Sequence, residues 1–163
     1  MSETKNVEKY NKFISLLTLS EINLGSLTCT QNPEALDNKV SLDIAISYGI
    51  SEVQQSGLEI MIEFEFRVKA FFNKDETSKD IEDISPEETM FDISLTLLLK
   101  YNLSLSDEDI EKGDIFEDYA DILEPFSENV VSINAWPYVR ELVSNLTGRM
   151  GFRPLMIPLK KTI

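Results

Sequence analysis

Leu58-Glu-Ile-Met-Ile-Glu-Phe-Glu-Phe-Arg-Val-Lys69 alternates apolar and polar residues, with Met61 the one apolar residue in the polar register. Successive side chains of a strand point to opposite faces, so Leu58, Ile60, Ile62, Phe64, Phe66 and Val68 share one face and Glu59, Met61, Glu63, Glu65, Arg67 and Lys69 the other. Upstream, Val40, Leu42, Ile44, Ile46, Tyr48 and Ile50 alternate in the same way with Ser41, Asp43, Ala45, Ser47, Gly49 and Ser51. Downstream, Phe91, Ile93, Leu95, Leu97, Leu99 and Tyr101 alternate with Asp92, Ser94, Thr96, Leu98, Lys100 and Asn102. Alternation sustained this long predicts antiparallel strands with one apolar and one more polar face. A polar turn ending at Gly57 separates the first two, and a charged, flexible link over residues 73–89, carrying Ser85-Pro86, separates the last two.

Further out the pattern changes. Residues 1–15 read as a short helix or loose arm with Val7, Tyr10, Phe13 and Ile14 at helical spacing. Residues 17–30 read as another strand whose alternation slips phase near Glu21 and again around Gly25, as bulges or a bend would produce. Residues 31–39 form a turn region with Asn32-Pro33 and Asp37-Asn38. Ser106 is a candidate N-cap with Asp109 three residues on, and Ile115, Phe116, Tyr119, Ile122 and Leu123 make one apolar stripe that Pro125 interrupts. A second helix is predicted over 133–150. Its buried stripe is Trp136, Val139, Leu142, Val143 and Leu146, with Pro137 in its first turn and Gly148 and Gly151 as C-cap candidates. The tail over 152–163, with Pro154 and Pro158, should be extended. Strands followed by helices define an α+β class: a four-stranded antiparallel sheet with C-terminal helices packed on it, one domain over 16–163 behind the arm at 1–15. Strands of ten or more residues exceed the usual length and present more apolar face than one helix covers, which points to self-association or to a bound polypeptide.

The bulk properties narrow the function. The 163 residues are 42% hydrophobic and 27% charged, an ordinary globular composition. The formal charge of −14, from 29 acids against 15 bases, repels phosphate backbones and anionic lipid. Nucleic acid and membrane insertion are therefore not expected, whereas basic polypeptide segments suit the surface. No secretory signal is visible and no apolar run reaches ~18 residues, so the expected compartment is cytoplasmic. Cys29, the single cysteine, is expected to be a buried structural thiol. The chain has no histidine, which removes Ser-His and Cys-His nucleophile pairs, His-based zinc sites and the commonest general base.

Two acidic constellations have plainer explanations than chemistry. Asp107, Asp109, Glu111 and Asp118 approximate calcium-loop spacing, but Lys112 stands where the loop needs glycine; acids at a helix start account for the same residues. Glu59, Glu63 and Glu65 share a strand face with Arg67 and Lys69, as in a solvated, salt-bridged face. No catalytic residue, metal site or cofactor is expected, and an enzyme is the least expected class.

The C-terminal stretch Ile133-Asn-Ala-Trp-Pro-Tyr-Val-Arg-Glu-Leu142, with Arg149 and the tail Phe152-Arg-Pro-Leu-Met-Ile-Pro158, resembles the end of the SecB family of protein-export chaperones. Leu19-Ser-Glu-Ile-Asn-Leu24 is similar to the family's first strand and Lys39-Val-Ser-Leu-Asp-Ile44 to its second, so the resemblance spans about 16–159. It implies a SecB-like sheet with helices on it, assembled as a homotetramer (a dimer of dimers). It also implies an ATP-independent holdase whose apolar grooves bind unfolded or non-native polypeptides, in protein export. By the same resemblance Val40, Leu42 and Ile44 would line the client groove and Ile93, Leu95 and Leu97 would govern self-association. Of the acidic positions that dock a SecA-type motor, Glu21 remains, while Gly25 and Ser94 stand at two others, and the chain stops at Ile163 where the family adds a final helix. Two alternatives therefore stand beside export: a dedicated SecB-like chaperone of a toxin–antitoxin system, with an antitoxin as partner, and a structural oligomer or small apolar ligand binder.

Overall fold

The structure, a computed structural model, describes residues 2–33, 42–73, 77–105, 121–122 and 124–160, with residues 2–6 as backbone only. Helix α1 (Ser2–Leu16) leads into strand β1 (Leu17–Gln31), followed by β2 (Asp43–Ser56), β3 (Glu59–Phe71) and β4 (Thr89–Leu103). Helical backbone at 124–126 continues through a π-turn (Ser127–Val131) into helix α2 (Ser132–Arg149). The four strands form one antiparallel sheet in the order β1-β4-β3-β2, which leaves β1 and β2 as edges. The expected fold class is thus observed. The calcium-like acids at 107–118, the N-cap at Ser106, the stripe residues Ile115, Phe116, Tyr119 and Leu123, most of the turn at 31–39 and Val40 lie outside the described residues.

Register explains the phase slips in β1. Leu19 faces Tyr101 and Glu21 faces Lys100, so Ser20 is an extra residue; Leu24 faces Leu97 and Ser26 faces Thr96, so Gly25 is another. Each bulge resets the alternation, and Leu17, Leu19, Ile22, Leu24 and Leu27 all fall on the face of Leu103, Tyr101, Leu99, Leu97 and Leu95. A third irregularity, at Ser51, moves β2's apolar position from Ile50 to Val53. The β2–β3 hairpin closes through Gly57, whose φ of 60° is the left-handed conformation a side chain disfavours. Leu58 belongs to this turn and not to the strand, and β2 extends to Ser56 where a polar turn was expected.

The apolar face carries the core. Ile60, Ile62, Phe64, Phe66 and Val68 of β3 and the odd-numbered apolar residues of β4 pack against Trp136, Val139 and Val143 of α2 and against Phe126. Leu142 and Leu146 flank this stripe half-buried. Phe13 anchors α1: its ring meets Phe126 edge-on at 5.3 Å, and Phe126 meets Tyr101 at 5.5 Å. Val7, expected on the same stripe, is instead exposed. Pro137 lies inside α2 and not in a first turn, because the helical backbone has already begun upstream through the π-turn. At the other end Gly151 (φ 87°) ends the helix: its N–H donates to Gly148 O at 3.2 Å and that of Phe152 to Thr147 O at 3.0 Å, a Schellman arrangement. Gly148 remains helical, with Pro154 packed 3.6 Å from where its Cβ would stand.

The polar face is covered at one corner. Ile81 and Ile84 of the β3–β4 link bury against Ala45 and Phe71, and the buried Lys69 Nζ donates to Ile81 O (3.0 Å) and Ile84 O (3.5 Å). Lys79 pairs with Glu88 at 2.8 Å, and Glu88 also accepts from the Ser85 hydroxyl. The described part of the link is therefore a docked flap with its own small core, not the charged spacer its composition suggested. The salt-bridged face is corrected too: Lys69 binds backbone carbonyls, and Arg67 reaches diagonally to Asp92 at 3.0 and 2.5 Å.

Candidate functional site: a groove beside the β2 edge

Among the described residues, the apolar face is wider than the helices that cover it. Along β2, Ile44 (39% exposed), Tyr48 (47%) and Val53 (37%) remain open on that face, with Ile46 and Ile50 half-buried between them. On the opposite edge Leu19, Leu24 and Leu27 of β1 are also exposed. Cys29, next in this row and opposite Ile93, is exposed and not the buried thiol expected of it.

Beside β2 the surface deepens into an open groove of about 480 Å³. Its floor is Tyr48, Gly49, Ile50 and Phe64, and its far wall is the π-turn region with Glu124, Ser127, Glu128 and Asn129. Gly49 contributes no side chain and has no heavy atom within 4 Å of its Cβ position. Tyr48 is held by rings: it stacks with Phe64 at 6.1 Å and meets Trp136 edge-on at 5.2 Å, and Phe66 supports Trp136 at 5.7 Å. The aromatic shelf is thus rigid at its base and open above Tyr48.

The tail completes the site. Residues 153–160 run without regular structure along α2, and Ile157 is fully buried in the core. Trp136 Nε1 donates to Pro158 O at 2.7 Å, Arg140 Nε to Ile157 O at 2.8 Å, and Leu155 N to Thr147 Oγ1 at 2.8 Å. These bonds give physical roles to the Trp-Pro-Tyr-x-Arg and Pro-Leu-x-x-Pro elements: the first pins the second. They also deliver Lys160 to the groove, where its ammonium lies 4.3 Å from the Tyr48 ring centre.

The residues expected from sequence fall in three places. Leu42 is half-buried just before β2 and Ile44 is exposed on the apolar face of the same strand. Ile44 is four residues, roughly 13 Å, from Tyr48, so it extends the groove's apolar row and does not line its centre. Ile93, Leu95 and Leu97 are 0–2% exposed in the core, and on the same face their β1 partners Cys29, Leu27 and Leu24 are exposed. Glu21 lies on the polar face near Lys100 (3.7 Å) and accepts from Asn23 Nδ2 at 3.2 Å. Gly25 is a bulge there, and Ser94 lines a shallow depression with Ser26, Thr28, Ser47, Glu65 and Arg67. Nothing in the sequence marks Tyr48, Ser132 or Lys160 as a site residue. Tyr48 reads as one more core position in the alternation, and no local pattern announces a tail lysine that meets it across more than a hundred residues. Among the described residues no group of three or more Cys, Asp and Glu is placed to hold a metal ion, and no helix is long and apolar enough to cross a membrane.

No family model matches the chain, and no curated protein does. Among solved structures it is similar to the SecB-like chaperone Rv1957 of Mycobacterium tuberculosis, determined in complex with a ChAD peptide from the Rv1956 HigA1 antitoxin. The TM-score is 0.67 at 13% identity, over 97% of this chain and 99% of that one. A protein of unknown function from Streptococcus agalactiae aligns at a TM-score of 0.33 and 6% identity, over 88% of this chain and 97% of that one, too distant to argue from. The first likeness shows the fold: this chain has the SecB-like arrangement of sheet and helix.

Proposed function

We propose that the chain is an ATP-independent chaperone, a holdase that binds unfolded or non-native polypeptide segments along the β2 edge, and that it works as a homotetramer. The observation that carries this reading is the exposed apolar row Ile44–Tyr48–Val53 running beside an open, aromatic-floored groove in a SecB-like fold. An enclosed cavity would suit a small apolar ligand; a groove open along a strand suits an extended chain. Each client side chain buried there contributes about 1.5–3 kcal/mol before ordering costs, and several weak contacts on one chain add up through effective concentration. The charge of −14 favours clients with basic segments. Leu42 and Ile44 would extend the site beyond the groove, and the influence of Ile93, Leu95 and Leu97 on assembly would act through the β1 row they support.

Between the two client classes, a dedicated antitoxin partner has the better support. The similar chaperone Rv1957 was determined with an antitoxin peptide. Of the acidic motor-docking positions only Glu21 carries a carboxylate, and Asn23 and Lys100 already engage it. Handover to a SecA-type motor in export is the second reading.

The test is suppression of aggregation of a chemically denatured substrate in the absence of nucleotide. The wild-type chain should suppress it at equimolar tetramer. Tyr48→Asp, which costs about 1–2 kcal/mol of ring contacts but leaves a half-exposed position soluble, should lose most of the effect while staying folded. Equal protection by the two proteins would remove the groove from the mechanism, and no protection by either would remove the holdase function. A pull-down that returns one small partner in place of many supports the dedicated client.

A further inference from the structure

Lys160 fills the groove in a way that its tail does not require. Its Nζ donates to Ser132 Oγ at 2.5 Å and to Glu128 O at 3.1 Å, and lies 4.3 Å from the centre of the Tyr48 ring and 5.9 Å from that of Trp136. Ser132 is buried, 2% exposed, and its hydroxyl passes the polarisation on by donating to Glu128 O. The π-turn makes this carbonyl reachable. Ser132 N–H bonds back to Ser127 O, five residues earlier, and not to Glu128 O as an α-helix would have it, so two side-chain donors take the Glu128 oxygen instead. Two aromatic faces, a buried hydroxyl and a backbone carbonyl converge on one ammonium, with the acidic side chains of Glu124 and Glu128 on the groove wall. That is a built cation site. Its occupant comes from the segment that follows Trp136's bond to Pro158 O, so the side chain can leave while the anchor at Ile157 stays buried.

We infer that the groove contains a subsite for a basic side chain of the bound polypeptide, which Lys160 of the chain's own tail fills until a client lysine or arginine displaces it. The inference rests on the holdase reading and sharpens it. A client that uses the subsite presents a cationic residue between apolar ones, the apolar residues lying along Ile44–Tyr48–Val53 and the cation against Tyr48, Ser132 and Glu128. A purely apolar segment leaves Lys160 in place and gains nothing from the subsite, whereas a cationic one exchanges its own ammonium for that of Lys160.

The experiment uses the full chain and two fluorescein-labelled nonapeptides of leucine and phenylalanine, one with a central lysine and one with norleucine in its place. Binding is followed by fluorescence anisotropy at constant ionic strength. In the wild-type chain the two peptides should bind within a few-fold of each other, because the lysine gained by one peptide is offset by the lysine displaced. Lys160→Ala should tighten the lysine peptide by roughly tenfold, the range of a partly desolvated cation–π site, and move the norleucine peptide little. Lys161→Ala, equal in net charge, should tighten neither, and adding Ser132→Ala to Lys160→Ala should remove most of the gain. Equal tightening of both peptides by Lys160→Ala, or of the lysine peptide by Lys161→Ala, would overturn the subsite while leaving the chaperone groove intact. If neither peptide binds any variant, the holdase reading falls and the subsite with it.

Discussion

Tyr101 is 2% exposed beneath Phe126, and Asn134 Nδ2 donates to its hydroxyl oxygen at 3.0 Å. Burial pushes its phenol up to about 12, with the Asn134 bond pulling slightly the other way. Because the folded value lies above the unfolded one near ~10, the folded chain keeps a proton that the unfolded chain releases. Stability is therefore complete below about pH 10 and falls as pH rises from there towards 12, by up to ~2–3 kcal/mol. Ultraviolet difference titration should show Tyr101 ionising last, and urea midpoints should drop across that interval. Simultaneous ionisation of all five tyrosines in the folded chain would contradict the packing. At the tail, Ile157 and Trp136 separate a core contribution from a tether. Ile157→Ala should cost about 2–4 kcal/mol by urea unfolding, since the side chain is wholly buried. Trp136→Phe keeps a ring but deletes the bond to Pro158 O and trims the indole's packing on Tyr48 and Phe66, so about 1–2 kcal/mol is expected, together with faster proteolysis of the tail. Tail proteolysis as slow in Trp136→Phe as in the wild type would mean that Ile157 alone holds the tail.

Between residue and fold, β1 shows how much a strand can carry in its pattern. Its two phase slips are visible as interrupted alternation, and the structure resolves them as the extra residues Ser20 and Gly25. Deleting Gly25 should leave Leu24, Ser26 and Leu27 in regular alternation opposite Leu97, Thr96 and Leu95, at a cost of no more than about 1–2 kcal/mol. Deleting Asn23 instead turns Leu24 to the polar face and should cost more. Equal urea midpoints for the two deletions would mean that the bulge does not set the register. The β3–β4 link was less legible. Its acids and lysines read as a spacer, because the pairing of Lys69 with two carbonyls and of Ile81 and Ile84 with Phe71 depends on where the sheet corner lies, not on any local period. Lys79 holds the Glu88 carboxyl below the usual carboxylate range, so its support for the flap is present at neutral pH and lost as pH falls through that lowered value. The protection factor of the Thr89 amide, whose N–H bonds to Ser85 O, should fall there relative to intrinsic exchange, and Glu88→Gln should remove that pH dependence of the protection factor. For the site the same division holds. The strand face that carries Ile44 and Tyr48 follows from alternation, while the groove wall and Lys160 depend on a π-turn and a threaded tail that no window of the sequence encodes.

At the scale of the whole molecule, the sheet is broader than the described helices that cover it. One helix stripe, Trp136 to Val143, lies over the central strands β3 and β4, and the edges β1 and β2 each keep an apolar row open on the same face. Those edges are 15 and 14 residues long, the kind of exposed strand that invites pairing with another chain. Bulges at both edges and the charge of −14 oppose indiscriminate association, but neither hides Leu19, Leu24 and Leu27. If β2 serves the client, β1 is left to serve assembly, and the two functions separate by edge. This division makes the proposed tetramer testable without touching the groove. Sedimentation equilibrium at micromolar concentration should give a multiple of the 18.6 kDa chain mass. Leu24→Glu combined with Leu27→Glu should lower that multiple, while lysine-peptide binding at Tyr48 persists, since the altered residues sit on the far edge of the sheet. A monomeric wild-type chain would leave the β1 row without a partner and count against the assembly. Loss of peptide binding together with loss of assembly would show that the groove is completed by a neighbouring copy.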